Sequence, residues 1–115
     1  MQTMPLGRTG RTISRIGLGA MRLSLSARPD PDTARAGVRT AIENGTTFID
    51  TADVYCIDDD DIGHNERLVA GVVRDMGVTA DVTIATKGGM TRPGGRWQAD
   101  GRPEHLRAAC ERSMR

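Results

Sequence analysis

A threefold alternation of short β-branched segments with longer amphipathic ones most constrains the fold of this chain. The segments "RIGLG" (15–19), "TTFID" (46–50) and "DVTIATK" (81–87) predict buried strands, and an apolar pattern of helical period follows each of them. Gly45 and Gly77 lie where the first two helices are expected to end. Strands that alternate with helices form a parallel sheet, because the crossover helix returns the chain to the starting edge.

Ahead of this alternation, residues 2–15 contain two short extended pieces around "GRTGR", which predict a β-hairpin. The 115 residues suffice for one domain. We expect a hairpin over 1–15 and strand–helix units over 15–45, 46–77 and 81–115. Three strands are fewer than an open doubly wound sheet or a closed barrel usually needs, and the last helical pattern has no stop signal. We therefore expect 1–115 to be the N-terminal part of a single α/β domain.

Charge and composition exclude several classes of protein. The net charge of +1 forces no basic face, so no nucleic-acid partner is expected. The two cysteines are too few for a disulfide framework, which fits a reducing compartment. The N-terminus lacks the apolar core of a signal peptide, and no run reaches the roughly 18 apolar residues that a membrane helix needs. These features predict a soluble, cytoplasmic protein without a membrane partner.

Three polar side chains fall at or just beyond the ends of predicted strands. Asp50 closes the second strand, Tyr55 follows five residues later, and Lys87 closes the third strand. The carboxyl ends of parallel strands share one rim, so we expect the three groups to meet there. An ammonium favours a nearby phenolate, and a carboxylate keeps that ammonium charged, so the tyrosine can protonate a carbonyl oxygen. The alternative is a structural ion pair between Asp50 and Lys87 with Tyr55 packing beside it.

The segments "FIDTADVY" (48–55), "GHNERLVAGVV" (63–73) and "VTIATKGG" (82–89) resemble the aldo-keto reductase family, and "MPLGRTGRTISRIGLGAMRLS" (4–24) looks like that family's opening segment. The resemblance implies a (β/α)8 TIM barrel with its floor plugged by the hairpin, of which this chain holds three of the eight units. It also implies NADPH-dependent, reversible reduction of aldehydes or ketones, with a small carbonyl compound as the substrate.

Carried over to this sequence, the resemblance makes Tyr55 the general acid and Lys87 and Asp50 its supporting pair. Asp50 would also face the nicotinamide end of the cofactor. The family has a fourth catalytic residue, a histidine that ends the fourth strand. Neither His64 nor His105 matches that position.

The same resemblance places Gly19, Ala20 and Met21 on the loop after the first strand, near the nicotinamide and the substrate. It leaves the segments that bind most of NADPH outside this chain. We therefore keep a second hypothesis, a catalytically silent chain that needs another chain to complete the barrel. An incomplete barrel exposes apolar strand edges, so association through that edge is expected.

Two motifs allow another interpretation, as a dinucleotide-binding motif or as a metal site, which the sequence favours less. "GLGAMR" is similar to a dinucleotide-binding glycine motif, but Arg22 stands where a third glycine is needed. The run Asp58–Asp61 offers oxygen ligands for Mg²⁺ or Ca²⁺, which would make the chain a small metal-binding module. Consecutive like charges more often keep a loop in water, so no metal site is predicted.

The glycine-rich loop after the third strand adds Trp97, which could wall a substrate pocket or anchor the loop to the surface. Arg92 and Arg96 in the same loop would either meet an anionic substrate or remain solvated. Cys110 falls on the apolar face of the third helix, with Leu106, and is expected in the core.

Overall fold

The computed structural model describes residues 1–115, and the chain begins with the predicted hairpin. Strand β1 (Thr3–Pro5) pairs antiparallel with β2 (Thr12–Ser14). The buried Ser14 and Thr47 exchange two hydrogen bonds. The backbone N–H of Ser14 donates to Oγ1 of Thr47 at 2.8 Å, and that of Thr47 donates to Oγ of Ser14 at 2.9 Å. These bonds fasten the hairpin to the residue just before the central strand.

The three predicted strand–helix units follow. Their strands are β3 (Leu18–Gly19), β4 (Phe48–Asp50) and β5 (Thr83–Ala85), paired in parallel in the order β3–β4–β5. Their helices are α1 (Pro31–Glu43), α2 (His64–Asp75) and α3 (Pro103–Ser113). A second antiparallel pair, β6 (Met90–Thr91) with β7 (Gln98–Ala99), lies within the loop after β5 and was not predicted. None of the helices is both long and apolar enough to cross a membrane.

Local chemistry fixes the start of α1 as the sequence indicates. The Asp30 side chain accepts hydrogen bonds from the backbone N–H groups of Asp32, at 3.1 Å, and Thr33, at 3.0 Å. Pro31 occupies the first helical position, where no backbone N–H is needed. Gly45 follows the helix with a φ of 91°, a left-handed conformation that glycine adopts without a steric cost. The chain can therefore turn directly back into β4.

The core is shared by the sheet and the first two helices. Seven buried side chains form it: Ala20, Val38, Ile49, Val69, Val72, Val73 and Val82. Burying one aliphatic side chain of this size contributes about 1.5–3 kcal/mol. Side chains alternate along a strand, so Ile49 faces this core while Phe48 and Asp50 face the opposite side of the sheet. The core therefore fixes the direction in which Asp50 points.

The predicted apolar face of α3 is only partly buried, which corrects the expectation for Cys110. Of that face only Ala109 is buried; Leu106 and Cys110 are exposed, and Met114 is 74% exposed. Strand β5 is the outer strand of the sheet, and its Ile84 remains 37% exposed. The helical period identifies an apolar face correctly, but burial also requires another element to pack against it.

Candidate functional site

The carboxyl ends of β4 and β5 bring Asp50 and Lys87 together. Asp50 is the last residue of β4, and Lys87 lies two residues beyond β5. Nζ of Lys87 donates to both carboxylate oxygens of Asp50 at 2.9 Å and to the backbone carbonyl of Thr51 at 2.7 Å. An ammonium group has three N–H donors, and these three contacts account for all of them. The lysine is therefore held in one orientation.

Tyr55 completes the predicted group of three. Nζ of Lys87 lies 4.5 Å from the centroid of the Tyr55 ring, within the range of a cation–π contact. The tyrosine is half-buried, and its backbone N–H donates to the carbonyl of Ala52 in a tight turn after β4. The structure thus places the acid, the lysine and the tyrosine at one rim of the sheet. Their chemical roles stay predictions.

The charge of Lys87 is stabilised by its neighbours. Partial burial favours the neutral amine, but contacts with the phenol of Tyr55 and the carboxylate of Asp50 outweigh it and raise the pKa of Lys87 above its usual value. Lys87 is also the only lysine in the sequence; every other basic side chain apart from the histidines is an arginine. The remaining ion pairs use arginine or histidine. The rim therefore differs from the chain's other ion pairs in using an ammonium, a compact point charge, rather than a planar guanidinium or an imidazole.

The predicted cofactor loop lies beside this rim, after β3. An added Cβ on Gly19 would meet open space, and Met21 is exposed. Ala20 between them is fully buried. Its backbone N–H donates to the carbonyl of Asp50 at 2.9 Å, and its own carbonyl accepts from Nδ2 of Asn65 at 2.8 Å. Because both backbone polar groups of Ala20 are engaged within the protein, Ala20 anchors the loop, while Gly19 borders open space and Met21 is exposed.

Asn65, which the sequence reasoning did not single out, connects the loop after β3 to Thr51, the residue just after β4. It is completely buried. Its Oδ1 accepts from Oγ1 of Thr51 at 2.6 Å, and its Nδ2 donates to the carbonyl of Ala20 and, at 2.7 Å, to Oγ of Ser24. Oγ of Ser24 lies 2.7 Å from Nδ1 of His64. Because the serine oxygen already accepts from Asn65, its own proton can go to His64.

The imidazole of His64, whose Nδ1 accepts this bond, is partly buried and so partly shielded from water. Burial, and then the charge of Arg28, lower the pKa of His64 below its usual value. A neutral ring with its proton on Nε2 leaves Nδ1 free to accept from Ser24. His105, the other histidine, lies with Nε2 3.2 Å from the carbonyl of Met90. Both histidines are thus engaged away from Lys87.

Arg92 is neither solvated nor free for an anionic substrate, which corrects both interpretations of this residue. It is only 5% exposed. Its guanidinium donates to the backbone carbonyls of Val54 at 3.4 Å, Ile57 at 3.1 Å and Gly95 at 2.8 Å. Trp97 stacks on it, with 4.0 Å between the guanidinium carbon and the ring centroid, and remains 47% exposed. Arg92 therefore ties the loop after β5 to the loop that carries Tyr55.

The acidic run organises its own loop. Asp58 accepts from the backbone N–H of Asp60, Asp59 accepts from that of Arg92 at 3.2 Å, and Asp61 pairs with Arg28 at 2.5 Å. No group of three His, Cys, Asp or Glu side chains is arranged to hold a metal ion. The carboxylates of Asp58, Asp59 and Asp61 thus bind three different partners rather than one centre.

Asp53 is the one acid of this region with an unusual environment. Its side chain is 1% exposed, and neither carboxylate oxygen has a hydrogen-bond partner. The nearest cation is Arg112 of α3, whose Nη2 is 3.6 Å away. Burial, and then the charge of Glu66, raise the pKa of Asp53. The carboxyl lines a groove of about 610 Å³ between α2 and the end of α3.

A hairpin, three parallel strands in chain order, a helix after each strand and a polar rim at the strand ends fit the first part of a (β/α)8 barrel, as the solved structures described below support. The sequence identifies the family. Residues 15–115 match the model of the aldo/keto reductase family, and the chain belongs to that family.

Solved structures of this family superpose on the chain. A protein from Pseudomonas aeruginosa assigned to the aldo-keto reductases matches 97% of the chain at 28% identity with a TM-score of 0.81. An aldo-keto reductase from Bacillus halodurans, in its holo form, matches 99% of the chain at 28% identity with a TM-score of 0.79. The thermostable aldo-keto reductase Tm1743, in complex with the inhibitor epalrestat, matches 99% of the chain at 28% identity with a TM-score of 0.70. The matched part is 41%, 35% and 38% of those chains, so this chain spans about two fifths of their length.

Proposed function

We propose that the chain is the N-terminal part of an NADPH-dependent reductase that converts aldehydes or ketones to alcohols, with Tyr55 as the proton donor. The observation that carries this proposal is the position of Lys87. Its ammonium is bound by Asp50 and Thr51 while it lies 4.5 Å from the Tyr55 ring. Family membership supports an oxidoreductase of this kind.

The chemistry of the three residues follows from charge. A carbonyl oxygen becomes negative as its carbon is attacked, and a phenol within hydrogen-bond reach can protonate it. The tyrosine is then left as a phenolate, which the Lys87 ammonium stabilises. Asp50 keeps that ammonium charged and oriented, consistent with the raised pKa of Lys87. In the proton transfer, Tyr55 gives the proton, Lys87 stabilises the anion and Asp50 holds Lys87.

The nicotinamide cofactor would supply the hydride when bound. The residues at the rim fit such a group, because Gly19 leaves open space where a side chain would otherwise project. Met21 is exposed, and the carboxylate of Asp50 is half-exposed. These residues would hold the nicotinamide end. The half-exposed Trp97 would form one wall of the substrate pocket. The choice of NADPH over NADH rests on the resemblance to the aldo-keto reductases alone.

The test is Tyr55→Phe in a reductase that contains this segment together with its remaining strands. Because this change removes one hydroxyl and keeps the ring against Lys87, we expect carbonyl reduction to fall about 10²–10⁴-fold, the usual contribution of a general acid. The dissociation constant for NADPH should not change. Reduction near the wild-type rate with normal cofactor binding would show that Tyr55 is not the acid.

A second function is favoured by the open edge of the sheet. Strand β5 has only one neighbour, and Ile84 on it and Met114 on α3 are exposed. An unpaired strand next to apolar surface can bind another polypeptide, so the chain would be silent until a partner adds further strands. NADPH titration of the 115-residue chain separates the two functions. Tight binding and turnover by the isolated chain would exclude the silent one.

A further inference from the structure

We propose that Arg92 is a positioning residue for Tyr55, because its guanidinium fixes the backbone on both sides of the tyrosine and so sets where the phenol ring lies against Lys87. The importance of this role for catalysis rests on the proposed function. The positioning itself can be tested in the chain without any reaction.

The contacts of Arg92 straddle the tyrosine. Nη1 donates to the carbonyl of Val54, the residue before Tyr55, and Nη2 donates to that of Ile57, two residues after it. The two nitrogens belong to one rigid, planar group. A change in the backbone angles of the intervening segment would therefore break at least one of the bonds. The segment that carries the phenol is held at both ends.

The guanidinium makes no ion pair. All its side-chain hydrogen bonds end on backbone carbonyls, the third being that of Gly95 in its own loop at 2.8 Å. Burying a cation without a carboxylate is costly unless its hydrogen bonds compensate. A neutral or shorter side chain would avoid this cost, but it could not bridge two loops with a planar fork. Such an arrangement suits a group that fixes geometry rather than one that adds charge attraction.

Two neighbours support the clamp formed by Arg92. Trp97 covers one face of the guanidinium at 4.0 Å and keeps water from competing for its donors. Gly95 lets the two loops approach closely, since an added Cβ there would lie 3.2 Å from the carbonyl oxygen of Ile57 and its φ is 82°. A side chain at residue 95 would therefore push the loops apart.

A weaker interpretation is that Arg92 only anchors the β6–β7 hairpin. In that case its loss would free Trp97 and leave the contact between Lys87 and Tyr55 unchanged. The composition of the chain makes the two interpretations separable, because it has one lysine, one tyrosine and one tryptophan. A lysine signal in an NMR spectrum and the tryptophan fluorescence each report on one residue.

The experiment compares Arg92→Gln with Arg96→Gln, an exposed arginine of the same loop, in the ¹³C-labelled 115-residue chain. The ε-protons of Lys87 should be displaced upfield by the Tyr55 ring, and Tyr55→Leu, which removes the ring, calibrates this displacement. We expect Arg92→Gln to lose the displacement and Arg96→Gln to keep it. Acrylamide quenching of Trp97 should increase in Arg92→Gln only.

An unchanged Lys87 signal in a folded Arg92→Gln chain, with more accessible Trp97, would overturn the proposal. Gly95→Ala provides a second route if Arg92→Gln does not fold, as judged by circular dichroism. It should loosen the same clamp with the guanidinium present and reduce the Lys87 displacement; no change in folded Gly95→Ala would likewise overturn the proposal. Because neither readout needs turnover, a failure here is distinct from a failure of Tyr55 as the acid.

Discussion

The Asn65 network predicts a large loss of stability from one small truncation, Asn65→Ala. The side chain makes three hydrogen bonds inside the protein, to Thr51, Ala20 and Ser24. All four residues are buried, so water cannot replace the lost amide without a structural change. The variant would leave a buried carbonyl on Ala20 and two buried hydroxyl groups with fewer partners.

The magnitude follows from these contacts. Each hydrogen bond contributes about 1 kcal/mol net, and a buried group left unpaired costs about 1–3 kcal/mol. The Ser24 hydroxyl retains His64 as a partner, which limits its share. We therefore expect Asn65→Ala to lower the free energy of unfolding by about 3 kcal/mol. With a urea dependence of about 1–3 kcal/mol per molar, the urea midpoint should fall by about 1–3 M.

The assay is urea unfolding followed by circular dichroism, with Asn44→Ala as the matched control. Asn44 is exposed and makes a single side-chain hydrogen bond, from Nδ2 to the carbonyl of Thr40 at 2.8 Å. Its loss should cost less than about 1 kcal/mol. If Asn65→Ala were no more destabilising than Asn44→Ala, at an unchanged urea slope, the network would not be a significant source of stability.

Two further predictions follow from buried titratable groups. Burial raises the pKa of Asp53, so its charge opposes folding: the penalty is absent below the unfolded pKa of about 3.8 and grows as the pH rises through the folded pKa. Asp53→Asn should therefore stabilise the chain at pH 7 and match it near pH 3 in urea titrations, and a destabilised variant at pH 7 would show that the pair with Arg112 is worth more than the burial costs. Burial also raises the pKa of the Cys56 thiol to about 11, whereas Cys110 is exposed. Iodoacetamide at pH 8 should modify one thiol in the folded chain and both in urea, and Cys110→Ser should abolish the fast reaction; rapid labelling that survives this change would contradict the burial of Cys56.

The strand–helix alternation and the rim could be predicted because both depend on local patterns. A β-branched segment, a helical period and a closing glycine each lie within a few residues of sequence. Asp50 and Lys87 were found from their positions at strand ends, since parallel strands share one rim. The buried position of Asn65 could also have been predicted from its place in α2. Asn65 shares a helical face with Val69 and Val72, and a polar residue on such a face must find partners inside.

The role of Arg92 could not be predicted from the sequence. Its partners Val54 and Ile57 are 38 and 35 residues away, and they contribute backbone carbonyls, which leave no trace in residue identity. The loop that contains it has no period, so the β6–β7 pair was missed as well. The exposure of Met114 has a different cause. The local sequence encodes the apolar face of α3, but it does not encode whether another element packs against that face.

The order of the strands has a consequence for how this molecule is made. In the β3–β4–β5 sheet, β4 pairs with β3 and β5 pairs with β4, so each of these two strands joins the one synthesised just before it. Pairing between successive segments costs little loop entropy, so the core around Ile49 can assemble while the chain emerges from the ribosome at about 5–20 residues per second. The contact between Asp50 and Lys87 can close as soon as β5 is added. Until another chain or segment covers it, the outer edge of β5 keeps unpaired backbone groups, and Ile84 beside them is 37% exposed.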